Sequence, residues 1–83
     1  MGQFVVGMAY ANGKGVAQDK AEAVRWYRLA AAQGSASAQF ALGDMFEKGR
    51  GVAKDTTEAD RLYRLAAAQG VAAATAALQR LGA

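Results

Sequence analysis

Apolar residues recur at three- and four-residue spacing in five stretches of this 83-residue chain. That is the period of an amphipathic helix, not the alternation of a half-buried strand. The clearest stretch follows Asp19. Ala23, Tyr27, Ala30 and Ala31 fall on one face, while Arg25 and Arg28 lie outside it. Asp19 followed by Glu22 predicts a capping-box-like start, and Gly34 predicts the end. The same signals recur from Asp55 and Glu58 to Gly70. A second kind of helix is predicted over about 36–48, with Ala38, Ala41, Leu42, Met45 and Phe46 apolar. Its counterparts run over 3–11 at the front and 72–81 at the back. No stretch reads as a strand.

The recurrence has a fixed period. Shifting the chain by 36 positions leaves 47 overlapping pairs, and 23 of them are identical. Gly13-Lys14-Gly15-Val16-Ala17 falls on Gly49-Arg50-Gly51-Val52-Ala53, and Tyr27 on Tyr63. A period of this length indicates stacked supersecondary units, each of which buries its apolar face against its neighbours. The expected division is 2–37, 38–73 and a closing half-unit over 74–83, all in one domain. Gly7 and Gly43 repeat inside predicted helices, where glycine costs about 1 kcal/mol relative to alanine. Close approach of a paired, alanine-rich helix would explain them.

Composition narrows the function. With neither cysteine nor histidine, the chain has no disulfide, no thiol nucleophile and neither of the usual nitrogen or sulfur ligands of zinc. No cofactor or metal site is expected, and no enzyme. Ser35 and Ser37 sit in a predicted turn, where helix capping accounts for them. The net charge of +3 comes from ten basic residues set among seven acidic ones, which does not call for a nucleic-acid partner. No apolar run is long enough to span a membrane. The location stays open: the cytoplasm is favoured for the chain as given, but the abrupt start at Met1-Gly2 suggests a piece of a longer protein, and a fragment can lack its targeting segment.

The motif set resembles the Sel-one-like repeat family, relatives of the tetratricopeptide repeats. The second copy carries Ala38, Leu42, Gly43, Phe46, Gly49, Gly51, Val52, Asp55, Ala59, Tyr63, Ala66, Ala67, Gln69 and Gly70 at the family's spacing. Phe46 replaces tyrosine there, and Leu62 replaces tryptophan. The first copy carries Gly7, Tyr10, Gly13, Gly15, Val16, Asp19, Trp26, Tyr27, Gln33 and Gly34, but has Gly2 and Val6 where alanine and leucine are usual. In the closing half-copy Gln79 stands in place of the glycine. The resemblance implies an all-α, right-handed solenoid of antiparallel helical hairpins, about two and a half repeats in five helices. It also implies a scaffold or adaptor that binds other proteins.

Several features were candidates for chemistry. The stretch NGKGVAQD looks like a phosphate cradle, but a P-loop follows a strand and needs serine or threonine after its lysine. Here the turn follows a helix, so the glycines shape a hairpin connection and Val16 and Val52 are expected to plug the gap between helices. Arg25, Arg28, Arg61 and Arg64 form a stripe that would suit an acidic polymer, or else pair with Glu22, Glu58 and Asp60 along their own helices. Trp26 reads as a packing residue; an exposed tryptophan would instead be a binding hot spot.

In related helical repeats the first helix of each unit lines the concave face. The resemblance therefore places partner contacts at Phe4, Met8 and Asn12, with Ala11 beside them, in the first unit. In the second it places them at Phe40, Asp44, Glu47 and Lys48, followed by Arg80 in the last helix. Phe4 and Phe40 recur at one phase, either as a shared apolar rung for a peptide or as packing between units. The expected function is recognition of a peptide or partner surface on that face. The alternative is a structural segment that associates with itself through open repeat ends.

Overall fold

The computed structural model describes residues 2–82. They form five helices, and none of the described residues is in a strand: α1 Gln3–Asn12, α2 Lys20–Ala32, α3 Ala36–Lys48, α4 Thr56–Ala68 and α5 Ala72–Gly82. Residue 83 of the expected closing half-unit lies outside the described residues.

The helix starts follow from side-chain acceptors. Asp19 accepts from the Glu22 backbone N–H at 3.1 Å, and Asp55 from that of Glu58 at 3.0 Å. Ser35 Oγ accepts from the Ala38 N–H at 3.2 Å. Each such cap is worth about 1 kcal/mol. At the end of α2, the N–H groups of Gly34 and Ser35 return to the carbonyls of Ala31 and Ala30 at 3.0 and 3.1 Å. That is the double closure of a Schellman ending. Each hairpin loop is tied across its mouth: Asp19 donates its N–H to the Tyr10 carbonyl, and Asp55 to that of Phe46, both at 2.9 Å.

Each helix packs on the next in sequence, so α1–α2 and α3–α4 are hairpins, α3 rests on α2 and α5 on α4. The result is an elongated α-solenoid of 37 × 23 × 17 Å. Its core joins both copies: Ala23, Val24, Tyr27 and Ala30 of α2 meet Leu42, Met45 and Phe46 of α3, and Ala59, Leu62, Tyr63 and Ala66 of α4. Within each hairpin, one side of the tyrosine ring of the second helix packs directly on the glycine of the first. A Cβ built at Gly43 would stand 2.9 Å from Tyr63 Cδ1, and one at Gly7 2.8 Å from Tyr27 Cδ1. Close approach therefore does explain these glycines, but what they make room for is an aromatic ring rather than an alanine face.

The two loops resemble each other more in sequence than in surroundings. Gly51 has φ +75°, and a Cβ there would come within 2.5 Å of the Lys20 carbonyl oxygen, because the second loop rests on the start of α2. Gly15 has φ +80° and nothing within 4 Å. The valines diverge in the same way. Val52 packs against the core, whereas Val16 is 40% exposed. The expectation that both plug a helix–helix gap thus holds for Val52 and fails for Val16, since no earlier hairpin lies under the first loop among the described residues.

Two polar ties join neighbouring units. Gln69 Nε2 donates to the Gly34 carbonyl and to Gln39 Oε1, both at 3.0 Å, and Gln39 Nε2 donates to the Ala31 carbonyl at 3.4 Å. Gln39 is buried, and these bonds satisfy it. In the first copy the corresponding Gln3 Oε1 is buried without a partner. The second tie holds α5. The Tyr63 hydroxyl donates to Glu47 Oε1 at 2.7 Å, and Arg80 reaches the same carboxylate with Nη2 3.1 Å from Oε1 and Nη1 on Oε2. The Arg80 hydrogen bond is the main reason that the Glu47 carboxyl is lowered from 4.5 to about 2; burial opposes it and the Tyr63 hydroxyl assists.

Two outcomes follow for stability. Gly51→Ala carries both backbone strain and a collision with the Lys20 carbonyl, whereas Gly15→Ala carries strain alone, of order 1 kcal/mol. In thermal unfolding the Gly51 variant melts clearly below the Gly15 variant; equal melting would mean that the second loop does not rest on α2. For Glu47, the folded-state pKa lies below the unfolded one. Its stabilisation is therefore complete above pH 4.5 and is lost as the pH falls towards 2. Glu58 is lowered too, chiefly by its hydrogen bond to Arg61, so a global melt mixes the two groups. Amide-exchange protection resolved by helix separates them. Protection in α5 fades over that window in the native chain, and is weaker and flat with pH in Glu47→Gln.

Candidate partner-binding groove

α1 and α3 are both first helices of their hairpins, and they face each other across a gap instead of packing tightly. The gap is an open cavity of about 520 Å³, lined by Phe4, Ala11 and Asn12 from α1 and by Ser37, Phe40, Ala41, Asp44 and Met45 from α3. Tyr27 contributes from α2, with Lys20 at that helix's start, Arg50 in the second loop and Val71 before α5.

Its apolar part is set by two aromatic pairs. The Phe4 ring lies 5.5 Å from that of Tyr27, and Phe40 5.6 Å from that of Tyr63, both tilted. Such separations suit the attraction between a ring edge and a ring face. Both phenylalanines are half-buried. Each packs on the tyrosine of its own hairpin and leaves part of its ring to the groove, so the two alternatives drawn from the sequence are not exclusive.

The residues expected to contact a partner fall into three sets. Phe4, Asn12, Phe40 and Asp44 share the groove. Met8 is 40% exposed and lies apart, with Val5, Ala9, Asn12 and Lys14 around a smaller depression. Glu47, Lys48 and Arg80 are already engaged: Glu47 with Arg80 and Tyr63, and Lys48 with Asp44 at 2.8 Å. Lys20, Tyr27 and Arg50 line the groove although nothing in the sequence singled them out for it. Lys20 and Arg50 come from neighbouring units, and only the stacking of the second loop on α2 brings them together. The Gln39–Gln69 tie was also missed. Its signal was present, because glutamines 30 residues apart occur in both copies as Gln3–Gln33 and Gln39–Gln69.

The arginine stripe is largely spoken for. Arg25 pairs with Glu22 at 3.8 Å, Arg61 with Glu58 at 2.9 Å, and Arg64 with Asp60 at 2.7 Å. Arg28 lies 5.2 Å over the Phe46 ring. Surface pairs of this kind add little stability, but they cancel most of the stripe's field. Trp26 is half-buried and its indole N–H donates to Glu22 at 3.2 Å, so it packs along its own helix. Among the described residues no cluster of metal-ligating side chains occurs, and no helix is long and apolar enough to cross a membrane.

Known proteins with this geometry are repeat proteins. A Sel1 repeat protein from Oxalobacter formigenes superposes with a TM-score of 0.93 at 43% identity, over 95% of this chain and 32% of that one. The protective antigen c5321 of uropathogenic Escherichia coli, which displays an SLR fold, gives 0.86 at 46% identity, over 87% of this chain and 15% of that one. Cysteine-rich protein B of Helicobacter pylori gives 0.87 at 28% identity, over 92% and 57%. The chain thus spans about a third of the Oxalobacter protein and a smaller share of c5321. No curated protein sequence matches it. The sequence pattern of the Sel1 repeat matches residues 1–35 and again 36–71. With both hairpins matched in sequence and superposed in structure, this chain belongs to the Sel1 repeat family, whose members generally serve as non-catalytic protein-interaction scaffolds.

Proposed function

We propose that this chain is a protein-interaction module that takes a peptide or partner surface into the groove between α1 and α3. The observation that carries this reading is the groove's make-up. Half-buried Phe4 and Phe40 offer apolar area, while Asn12, Lys20, Asp44 and Arg50 supply polar groups around it. Concave sites that bind tightly combine an apolar lining with a few placed polar groups in this way. The equivalent positions differ between copies, Met8 against Asp44 and Ala11 against Glu47. Variation on a constant scaffold is what recognition of a particular partner requires.

The test is affinity capture with the full-length protein from its source lysate, repeated with Phe40→Ala, Asp44→Arg and Leu29→Ala. Leu29 is an exposed apolar residue of α2 that does not line the groove. The reading predicts that both groove variants lose the same captured proteins while Leu29→Ala retains them. Unchanged capture by folded Phe40→Ala and Asp44→Arg would reject the groove.

A further inference from the structure

The two copies treat one tyrosine hydroxyl differently, and the difference points to a ligand. In the second copy, Tyr63 donates to Glu47, and Arg80 neutralises that carboxylate. Thirty-six residues earlier the same three positions are Tyr27, Ala11 and Asp44. Ala11 offers no acceptor, and the Tyr27 hydroxyl makes no hydrogen bond among the described residues. Nor is it sealed in, since Gln3 Oε1 is the one enclosed side-chain polar atom without a partner among them. The Tyr27 hydroxyl is thus left without a partner and not fully enclosed, on a residue that is only 5% exposed and lines the groove.

The charges around it have also changed. Where the second copy has Thr56, the first has Lys20, whose Nζ lies 3.5 Å from the Ala11 carbonyl oxygen. Lys20 thus sets a cation beside the position at which the second copy carries its carboxylate. Arg50 lines the same cavity. Neither cation has an ion-pair partner among the described residues, unlike Arg25, Lys48, Arg61, Arg64 and Arg80. The groove's own anion, Asp44, is held by Lys48 at 2.8 Å. An unfilled donor and two unpaired cations beside aromatic surface complement an acidic group carried by a partly apolar chain.

We infer that the first repeat holds an acidic side chain of a partner protein, taking the place that Glu47 occupies in the second repeat. The partner's carboxylate accepts from the Tyr27 hydroxyl and pairs with Lys20 and Arg50, and an apolar side chain of the same segment rests on Phe4 and Phe40. From the level of Phe4 to that of Ala11 is seven helical residues, about 10 Å. Three residues of polyproline-II chain, at about 3.1 Å each and three to the turn, nearly cover that distance and return the fourth side chain to the same face as the first. The recognised segment is thus an extended peptide with an apolar residue three places from a glutamate or aspartate. This identification of the partner's chemistry rests on the groove reading above.

The probe is a fluorescein-labelled, C-terminally amidated peptide library of the form apolar–x–x–glutamate, with glutamine in place of glutamate as its control. Binding is read by anisotropy at low and at physiological salt. The glutamate library is expected to bind, and the glutamine library to bind at least about tenfold more weakly, the usual weight of a charge-assisted hydrogen bond with its ion pair. Tyr27→Phe, which keeps the ring on Gly7, lowers affinity about fivefold or more on the same reasoning. Leu29→Ala, an exposed position that does not line the groove, leaves it unchanged. Ala11→Glu supplies the carboxylate internally and is expected to abolish binding while raising the melting temperature.

Equal binding of the two libraries, or a Tyr27→Phe variant as good as the native chain, overturns the carboxylate site. So does equal binding of a single-stranded DNA oligomer, because the site would then read charge and not a carboxylate. If neither library binds at millimolar concentration while Phe40→Ala still loses the captured proteins, the carboxylate site is wrong and the groove stands. If Phe40→Ala loses nothing, the groove itself fails.

Discussion

The contact between a glycine of one helix and a tyrosine ring of the next sets the geometry of everything else in this molecule. Gly43 lets the Tyr63 ring lie on the backbone of α3, and Gly7 does the same for Tyr27 on α1. An added Cβ would also come within 3.4 Å of the Ala59 or Ala23 carbonyl oxygen, so the backbones themselves are close. Dense packing leaves such a ring little freedom to retreat, and Tyr63, Ala59 and Ala66 are all fully buried. The ring then does two further things. It packs against Phe4 or Phe40 beside the groove, and in the second copy its hydroxyl reaches Glu47 near the end of the first helix, the position held by Ala11 in the first copy.

One scaffold thereby yields two different sites. In the second copy Glu47 closes the hydroxyl off, and the same carboxylate anchors α5 through Arg80. Here a polar group that could have faced a ligand instead seats the last helix. In the first copy an alanine leaves the hydroxyl open, and Lys20 replaces Thr56 beside it. Solenoids permit this because each unit's stability depends mainly on its immediate neighbours. α5 itself shows where the geometry changes: Gln79 stands where Gly7 and Gly43 stand, so a tyrosine ring could not settle there in the same way.

Much of the fold was legible in the sequence. The 36-residue period, the aspartate caps and the glycine endings are local signals, and local chemistry places all five helices. Gly7 and Gly43 could be recognised as sites of close approach, but not the group approaching them, because a tyrosine twenty residues away belongs to another helix. The fate of Val16 and Val52 was illegible for a related reason: identical turns differ according to what lies beneath them. The groove was legible in part. Phe4, Asn12, Phe40 and Asp44 follow from helical phase and the resemblance. Lys20 and Arg50 do not, because a loop of one unit must first rest on a helix of another.

The contact at Gly43 can be tested by the sign of a single change. Helix propensity alone would make Gly43→Ala more stable by up to about 1 kcal/mol. The ring contact reverses this, since forcing a methyl group into a packed interface costs about 1–3 kcal/mol. Denaturant unfolding of Gly43→Ala should therefore show a lower midpoint than the native chain, with the Phe40 and Tyr63 ring resonances displaced. An unchanged or higher midpoint, with those resonances in place, would contradict the account.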